Sequence, residues 1–339
     1  MSTKGEIIRH TLKTERGISC EVTNFGCRII KLLVPDREEN FDDIVLGFDT
    51  IEEYFEKPET YYGSIIGRYA NRIAKGHFQL NGRNYQLPIN HGNNHIHGGE
   101  NGFNSKAWQV LSTNLNSIEF GYSSPCGEEG FPGNLSVKVR YELSDEEGLK
   151  LMYKASTDQA TPINLTNHSY FNLLGAGNGR IDGHVFQIIA DEYLVGNEEQ
   201  IPNGEKVTVE GTPFDLREPK VISNLLNLES EQLRIGNGFD HNFIPNGEGL
   251  RKIARVFEPI SGRLMEVISD EPGVQFFCGK AMDRDVLGKE GKIYGERSAF
   301  CLETQHFPNS VNEPSFPSTI LNPGEEFSST TIYKFSVEF

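Results

Sequence analysis

Residues 135–144 read LSVKVRYELS, and the apolar side chains fall on every second position. Leu135, Val137, Val139, Tyr141 and Leu143 alternate with Ser136, Lys138, Arg140, Glu142 and Ser144. A period of two places one set on one face of an extended strand, whereas a helix would scatter the same set around its axis. After the turn DEEG, Leu149, Leu151 and Tyr153 alternate with Lys150, Met152 and Lys154, which predicts a hairpin. Tyr333, Phe335, Val337 and Phe339 repeat the pattern against Lys334, Ser336 and Glu338. Further strands are predicted at 19–34, 117–123, 185–190, 252–259, 264–269 and 274–279. Turns are marked by Asn-Gly at 81–82, 203–204 and 246–247, by SG at 261–262 and by EPG at 271–273. Helical signal is thin. DTIEEYFEK at 49–57 offers Asp49 or Thr50 as a cap and Ile51, Tyr54 and Phe55 on one face, and 222–228 offers a second short helix. With no repeat, linker or low-complexity tract, the pattern predicts an all-β chain: one large antiparallel β-sandwich over 1–339 with a few short helices.

Charge narrows the function. The formal net charge is −16, with no block of Lys or Arg, so the surface repels phosphate backbones and anionic lipid, and a neutral small substrate suits it. The first residues lack the apolar centre of a secretory signal, and no apolar run approaches the roughly 18 residues of a membrane span. Cys20, Cys27, Cys126, Cys278 and Cys301 are scattered without a CxxC pair, which predicts free thiols and a cytoplasmic setting.

Several segments carry candidate chemistry. TPINLTNHSYFNL (161–173), read as one strand, puts Ile163, Leu165, Phe171 and Leu173 on one parity and Asn164, Thr166, His168, Tyr170 and Asn172 on the other. That second face fits a wet cleft binding hydroxyls, or a polar strand with one hydrogen-bonded histidine. FCLETQHFPNS (300–310) sets Glu303 among apolar neighbours, where a carboxylate tends to a raised pKa suited to acid/base work; a strand end meeting solvent or Arg is the more common case. FDHNF places Asp240 beside His241, and GRYANRIAKG carries Arg68 and Arg72 in a Gly-bounded loop. His91, His95 and His97 lie within NHGNNHIHGG. His95 and His97 have a metal-ligand spacing, but on a continuous strand Glu100 points to the opposite face.

Together GRYANRIAKG, NHIHGGENGF, TNHSYFNL, GTPFDLREP, FDHNF, PGVQFF and LETQHFPNS, in this order, resemble the aldose 1-epimerases, or galactose mutarotases, over about residues 24–333. The resemblance implies a single β-sandwich, Glu303 as general base and His168 as general acid. It implies sugar contacts from Asn71, Arg72, His97, Asp240 and Gln275, with Ser169 and Tyr170 touching substrate beside the acid. Asn309 and Val311 stand where the family often has Asp and Pro. The implied reaction interconverts the α and β anomers of free galactose or glucose, in hexose metabolism. The base takes the anomeric O1 proton while the acid protonates ring O5, with no nucleophile, metal or cofactor. His168 must start protonated, so Asp240 or Glu303 is expected to raise its pKa. Rival readings are a hexose-6-phosphate epimerase, a non-catalytic sugar-binding module or sugar sensor, and a glycosidase using Asp240 and Glu303. Monomer and homodimer remain open.

Overall fold

The computed structural model describes residues 6–57, 60–280, 282 and 286–339. The alternation at 135–144 becomes the strand Leu135–Ser144, with Leu135, Val137, Val139, Tyr141 and Leu143 buried. Its partner Gly148–Thr157 sets Leu149 opposite Leu143, Leu151 opposite Tyr141 and Tyr153 opposite Val139. The apolar side chains therefore share one face, and each large one contributes about 1.5–3 kcal/mol by leaving water. Gly148 turns this hairpin at φ 86°, where a Cβ would stand 2.4 Å from the Tyr333 carbonyl oxygen. No other residue fits there.

These strands belong to a nine-stranded antiparallel sheet. Its order is Gln109–Thr113, Ser117–Ser124, Leu135–Ser144, Gly148–Thr157, Phe327–Val337, Arg263–Ser269, Arg251–Phe257, Val185–Ile188 and Lys220–Val221. A five-stranded antiparallel sheet runs Pro202–Thr208, Ala190–Gly196, Asp240–Pro245, Gly273–Phe277 and Cys301–Gln305. Phe243, Val274, Phe276 and Leu302 from this sheet enter one apolar cluster with Val137, Val139, Tyr141 and Leu151 from the larger one. A four-stranded sheet of Arg9–Lys13, Ser19–Thr23, Arg28–Pro35 and Phe41–Asp43 adds Leu12, Cys20, Val22 and Ile29 to the same cluster.

Three predicted strands are broken by local chemistry. The stretch 19–34 folds back into two strands at Asn24–Cys27, because the Asn24 side chain accepts from Ile8 N and donates to Trp108 O, and Gly26 has a Cβ position 2.4 Å from Asn104 O. The stretch 185–190 crosses between sheets at Ile189, whose N–H donates to Ile253 O and whose carbonyl accepts from Asn246 N, both at 2.9 Å. TPINLTNHSYFNL is not one strand but Thr161–Pro162 and Thr166–His168, with residues of both parities buried. At the C-terminal side the strand spans Phe327–Val337, and Phe339 is exposed.

Turn and cap chemistry held in part. Asn81 and Gly82 sit at φ 50° and 75° and close the hairpin His77–Leu80 with Arg83–Gln86, as a type I′ turn demands. Asn203-Gly204 instead lies inside Pro202–Thr208, and the turn comes earlier, where Asn197 Oδ1 accepts from the N–H groups of Glu199 and Ile201. Thr50, not Asp49, caps the helix Ile51–Glu56, and Glu53 completes a capping box. Within 222–228 the helix is Ser223–Leu226. A helix the pattern missed, Glu231–Ile235, starts on a Ser230 cap.

Candidate active site

Pairing in the five-stranded sheet sets the site. Gln275 faces Asn242 on one side and Glu303 on the other, while Asp240 faces Phe277. Because side chains alternate, Asp240, Gln275, Phe277 and Glu303 project from one face. The other face sends Phe243, Val274, Phe276 and Leu302 into the core. His168 ends Thr166–His168, which pairs with Ser64–Ile66, and its Nε2 lies 3.6 Å from Glu303 Oε2. The His168 ring is near-parallel to Tyr170 at 4.8 Å and to Tyr61 at 5.8 Å, and meets His97 edge-on at 5.1 Å.

A second pairing, Arg72–Ile73 with His95–Ile96, brings in the other wall. His97 takes φ 52°, and Gly98 follows because a Cβ there would stand 1.8 Å from Gly67 O. Asn71 and His97 hold each other: Asn71 N–H donates to His97 Nδ1, and His97 N–H donates to Asn71 O, each at 3.2 Å. Asn71 Oδ1 accepts from Arg72 N–H at 2.9 Å. The Arg72 fork lies 3.6 Å from Asp240, whose other oxygen accepts from Gln275 Nε2 at 2.7 Å. The resulting cleft encloses about 1190 Å³ including its open mouth, and its walls include Tyr61, Arg72, His97, His168, Asp240 and Glu303.

Such a cleft sits in a chain whose sequence matches the family model of aldose 1-epimerases over residues 9–334. The chain belongs to the aldose 1-epimerase family. It is 45% identical to a galactose mutarotase of Rattus norvegicus over 98% of this chain and 95% of that protein. It is 33% identical to an aldose 1-epimerase of Escherichia coli over 97% and 95%. The crystal structure of an aldose epimerase homologue from C. elegans superposes with a TM-score of 0.91 at 28% identity, covering 98% of this chain and all of that one.

Against the residues this family membership implied, the structure brings Asn71, Arg72, His97, His168, Tyr170, Asp240 and Glu303 to one cleft, with Gln275 reaching it through Asp240. Ser169 is not brought there. It is buried, and its hydroxyl donates to Asn167 Oδ1 at 2.6 Å. The polar parity of 161–173 also divides. Asn164 donates to Ala70 O and His306 O, and Asn172 to Gly179 O and Ser298 O, so both hold loops together. Arg68 is likewise structural, its guanidinium bonded to Ser124, Pro125 and Pro132. His241 faces Phe214 and Tyr193 beneath the sheet. His91 lines the cleft wall, whereas His95 is buried against Phe131 with Nδ1 on Pro88 O. Sequence reasoning missed Tyr61 and Gln200, which also line it. The left-handed backbone of each, φ 54° and 58°, carries no signal in residue type.

Electrostatics overturn one expectation for this aldose epimerase site. Burial pushes His168 down to about 4, and the Asp240 charge acting upward does not offset it. Burial, with Asp240 adding to it and Arg72 opposing, pushes Glu303 well above the usual carboxylate range. Between about pH 4 and that raised value the pair is therefore a neutral acid beside a neutral imidazole. It holds one proton, the same number as the carboxylate–imidazolium pair.

His97, His168 and Glu303 also bring ligand-type atoms within 4.8 Å of one another, a spacing a metal ion can bridge. The donor chemistry argues otherwise. His97 Nδ1 accepts the Asn71 N–H, so the neutral ring carries its proton on Nε2. Neither nitrogen then has a free lone pair, and Nε2–H becomes a donor suited to a hydroxyl oxygen. Four polar atoms of this site are buried without a hydrogen-bond partner among the described residues: Glu303 Oε2, His168 Nδ1, Gln275 Oε1 and Arg72 Nε. Buried polar atoms are rarely left so unless something binds there.

Proposed function

We propose that this aldose 1-epimerase interconverts the α and β anomers of free galactose and glucose with Glu303 and His168 as its acid/base pair. The observation that carries the reading is a buried carboxylate and imidazole 3.6 Å apart in a cleft walled by hydroxyl-binding groups. Galactose comes first as substrate because the mammalian relatives are named galactose mutarotases, and with it comes a place in galactose use.

In the proposed cycle, the proton of the pair passes from Glu303 to His168 as sugar binds, because the O1 hydroxyl donates to the carboxylate and ring O5 accepts from the imidazolium. Glu303 takes the O1 proton, the O–H electron pair forms C1=O1, the C1–O5 bond breaks, and O5 takes the proton from His168. Both protein groups are now neutral, the form burial prefers, so opening discharges a desolvated ion pair. Rotation about C1–C2 presents the other carbonyl face. On closure O5 returns its proton to His168 and Glu303 returns its proton to O1. Arg72, His97 and Asp240 grip the remaining hydroxyls, and Tyr170 and Tyr61 offer ring faces to the imidazolium.

A hexose 6-phosphate fits less well, since Arg72 is the only Arg or Lys among the described lining residues and already lies beside Asp240. A glycosidase needs a second available carboxyl, whereas Asp240 is occupied by Gln200, Gln275 and Arg72. The unpaired cysteines, four of them buried, fit a reducing cytoplasm. Among the described residues no helix is long and apolar enough to cross a membrane.

Polarimetry on freshly dissolved α-galactose tests the proposal. Wild-type protein should speed the drift to equilibrium, and Glu303→Gln should lower kcat by about 10²–10⁴, the worth of one proton relay. Near-normal turnover in Glu303→Gln would sink the base assignment.

A further inference from the structure

Gln200 stands between the two charged groups of the sugar-gripping wall. Its Nε2 donates to Asp240 Oδ2 at 2.8 Å, and its Oε1 accepts from Arg72 Nη2. Arg72 and Asp240 themselves approach only to 3.6 Å. An Arg fork and a carboxylate left alone close into a bidentate pair that satisfies both. An amide, with a donor and an acceptor on one rigid plane, is the neutral group that bonds to both while keeping them apart.

The loop holds the amide there from several directions. Asn197 O accepts from Gln200 N–H at 2.8 Å, and Asn197 Oδ1 fixes the residues on either side. The Glu199 carboxylate accepts from the side chains of Asn93 and Asn94, and Glu198 pairs with Arg234. Gln200 itself sits at φ 58°, a left-handed conformation that disfavours a non-glycine residue. Strain of this kind persists where the surroundings over-determine it, which happens most at working sites.

We propose that Gln200 is a positioning and sugar-selecting residue: its amide wedges the Arg72–Asp240 pair open, so that the fork and the carboxylate grip adjacent hydroxyls of one sugar ring. This role rests on the proposed mutarotase reading and extends it, because it places selectivity in a loop distant in sequence from the acid/base pair.

The test separates binding from chemistry. Gln200→Ala should raise KM for galactose about 10- to 100-fold, the worth of one or two hydrogen bonds to charged groups, with kcat changed by less than about threefold. Calorimetry of galactose binding to Glu303→Gln with and without Gln200→Ala should show the same loss without any turnover. Gln200→Glu keeps the side-chain shape but sets a carboxylate against Asp240. Its KM relative to wild type should be high at neutral pH and should fall towards unity as acid protonates the new carboxyl and restores a donor. Taking the ratio removes the titration that the variant shares with wild type, that of His91, His97, His168 and Glu303 in the same cleft, while the new carboxyl faces Asp240 and Arg72 directly. Unchanged KM and affinity in Gln200→Ala, or a KM ratio for Gln200→Glu that is flat with pH, would overturn the role. A loss confined to kcat would overturn it too. If wild type binds galactose with Gln200-dependent affinity but does not speed its mutarotation, the catalytic reading fails and the gripping role stands.

Discussion

Glu303 and His168 are two buried groups whose ordinary ionisations are both opposed by their surroundings, and pH should reveal it. Between about pH 4, where burial leaves His168, and the raised value of Glu303, the pair holds one proton. Below about pH 4 a second proton arrives and Glu303 can no longer act as base. We expect kcat/KM for galactose to fall on the acid side only towards pH 4, and to fall again as pH climbs through the raised value of Glu303, where the pair loses its one proton. An acid limb with its midpoint near 6.5 in the polarimetric profile, in place of one near 4, would mean that His168 titrates as an exposed imidazole. At this scale much was legible. The apolar neighbours of Glu303 in FCLETQ raised a buried carboxylate as one of two readings, and His168 stood on a polar parity. The balance between burial and the Asp240 charge was not legible, because it depends on how far the cleft closes over the ring. Gln200 was invisible for a plainer reason: a glutamine in a polar turn acquires meaning only by meeting Arg72, 128 residues away.

The element read as two-faced, 161–173, fails as one strand because residues of both parities are buried. Asn164 is fully buried and acts as a splice, donating to Ala70 O and His306 O and accepting from His306 N–H. It thereby ties the loop before Arg72 to the residues just past Glu303. Replacing Asn164 by Ala leaves buried backbone groups without partners, so chemical denaturation should show a loss of about 3 kcal/mol. KM and kcat of the protein that remains folded should change less than stability does. Loss below about 0.5 kcal/mol would show that water or neighbouring groups replace the amide. Period two correctly located the long strands, whose one wet face makes the alternation visible. It had no purchase on two- and three-residue strands such as Arg72–Ile73 and Thr166–His168, buried on every side, yet these short pieces carry the site.

Across the whole molecule, the two large sheets are joined beside the site by His306 and Glu271. Glu271 lies in the turn between Arg263–Ser269 of the nine-stranded sheet and Gly273–Phe277 of the five-stranded one, and its carboxylate meets His306 Nδ1 at 2.7 Å. Burial pulls His306 down, but the Glu271 charge and hydrogen bond more than offset it, so the folded value is raised. A raised value means that the folded state holds the proton more tightly than the unfolded chain. The stabilisation is full below about pH 6.5 and is lost as pH climbs through the raised value. Melting curves should therefore show Tm falling over that window, and His306→Gln should lack this part of the slope. An identical slope in the variant would remove the pair from the account.

The sandwich as a class was readable from alternation and turns, but its strand order was not, since nothing local says that Phe327–Val337 inserts between Gly148–Thr157 and Arg263–Ser269. That insertion has a consequence during synthesis. As the ribosome delivers the chain, the two flanking strands are finished long before the strand that joins them, and each waits with a bare row of amides. The nascent protein is then two incomplete half-sheets with adhesive edges, vulnerable to pairing with other chains. Closure waits for Phe327–Val337, so a chaperone that shields those edges until about residue 337 has emerged should raise the yield of active protein.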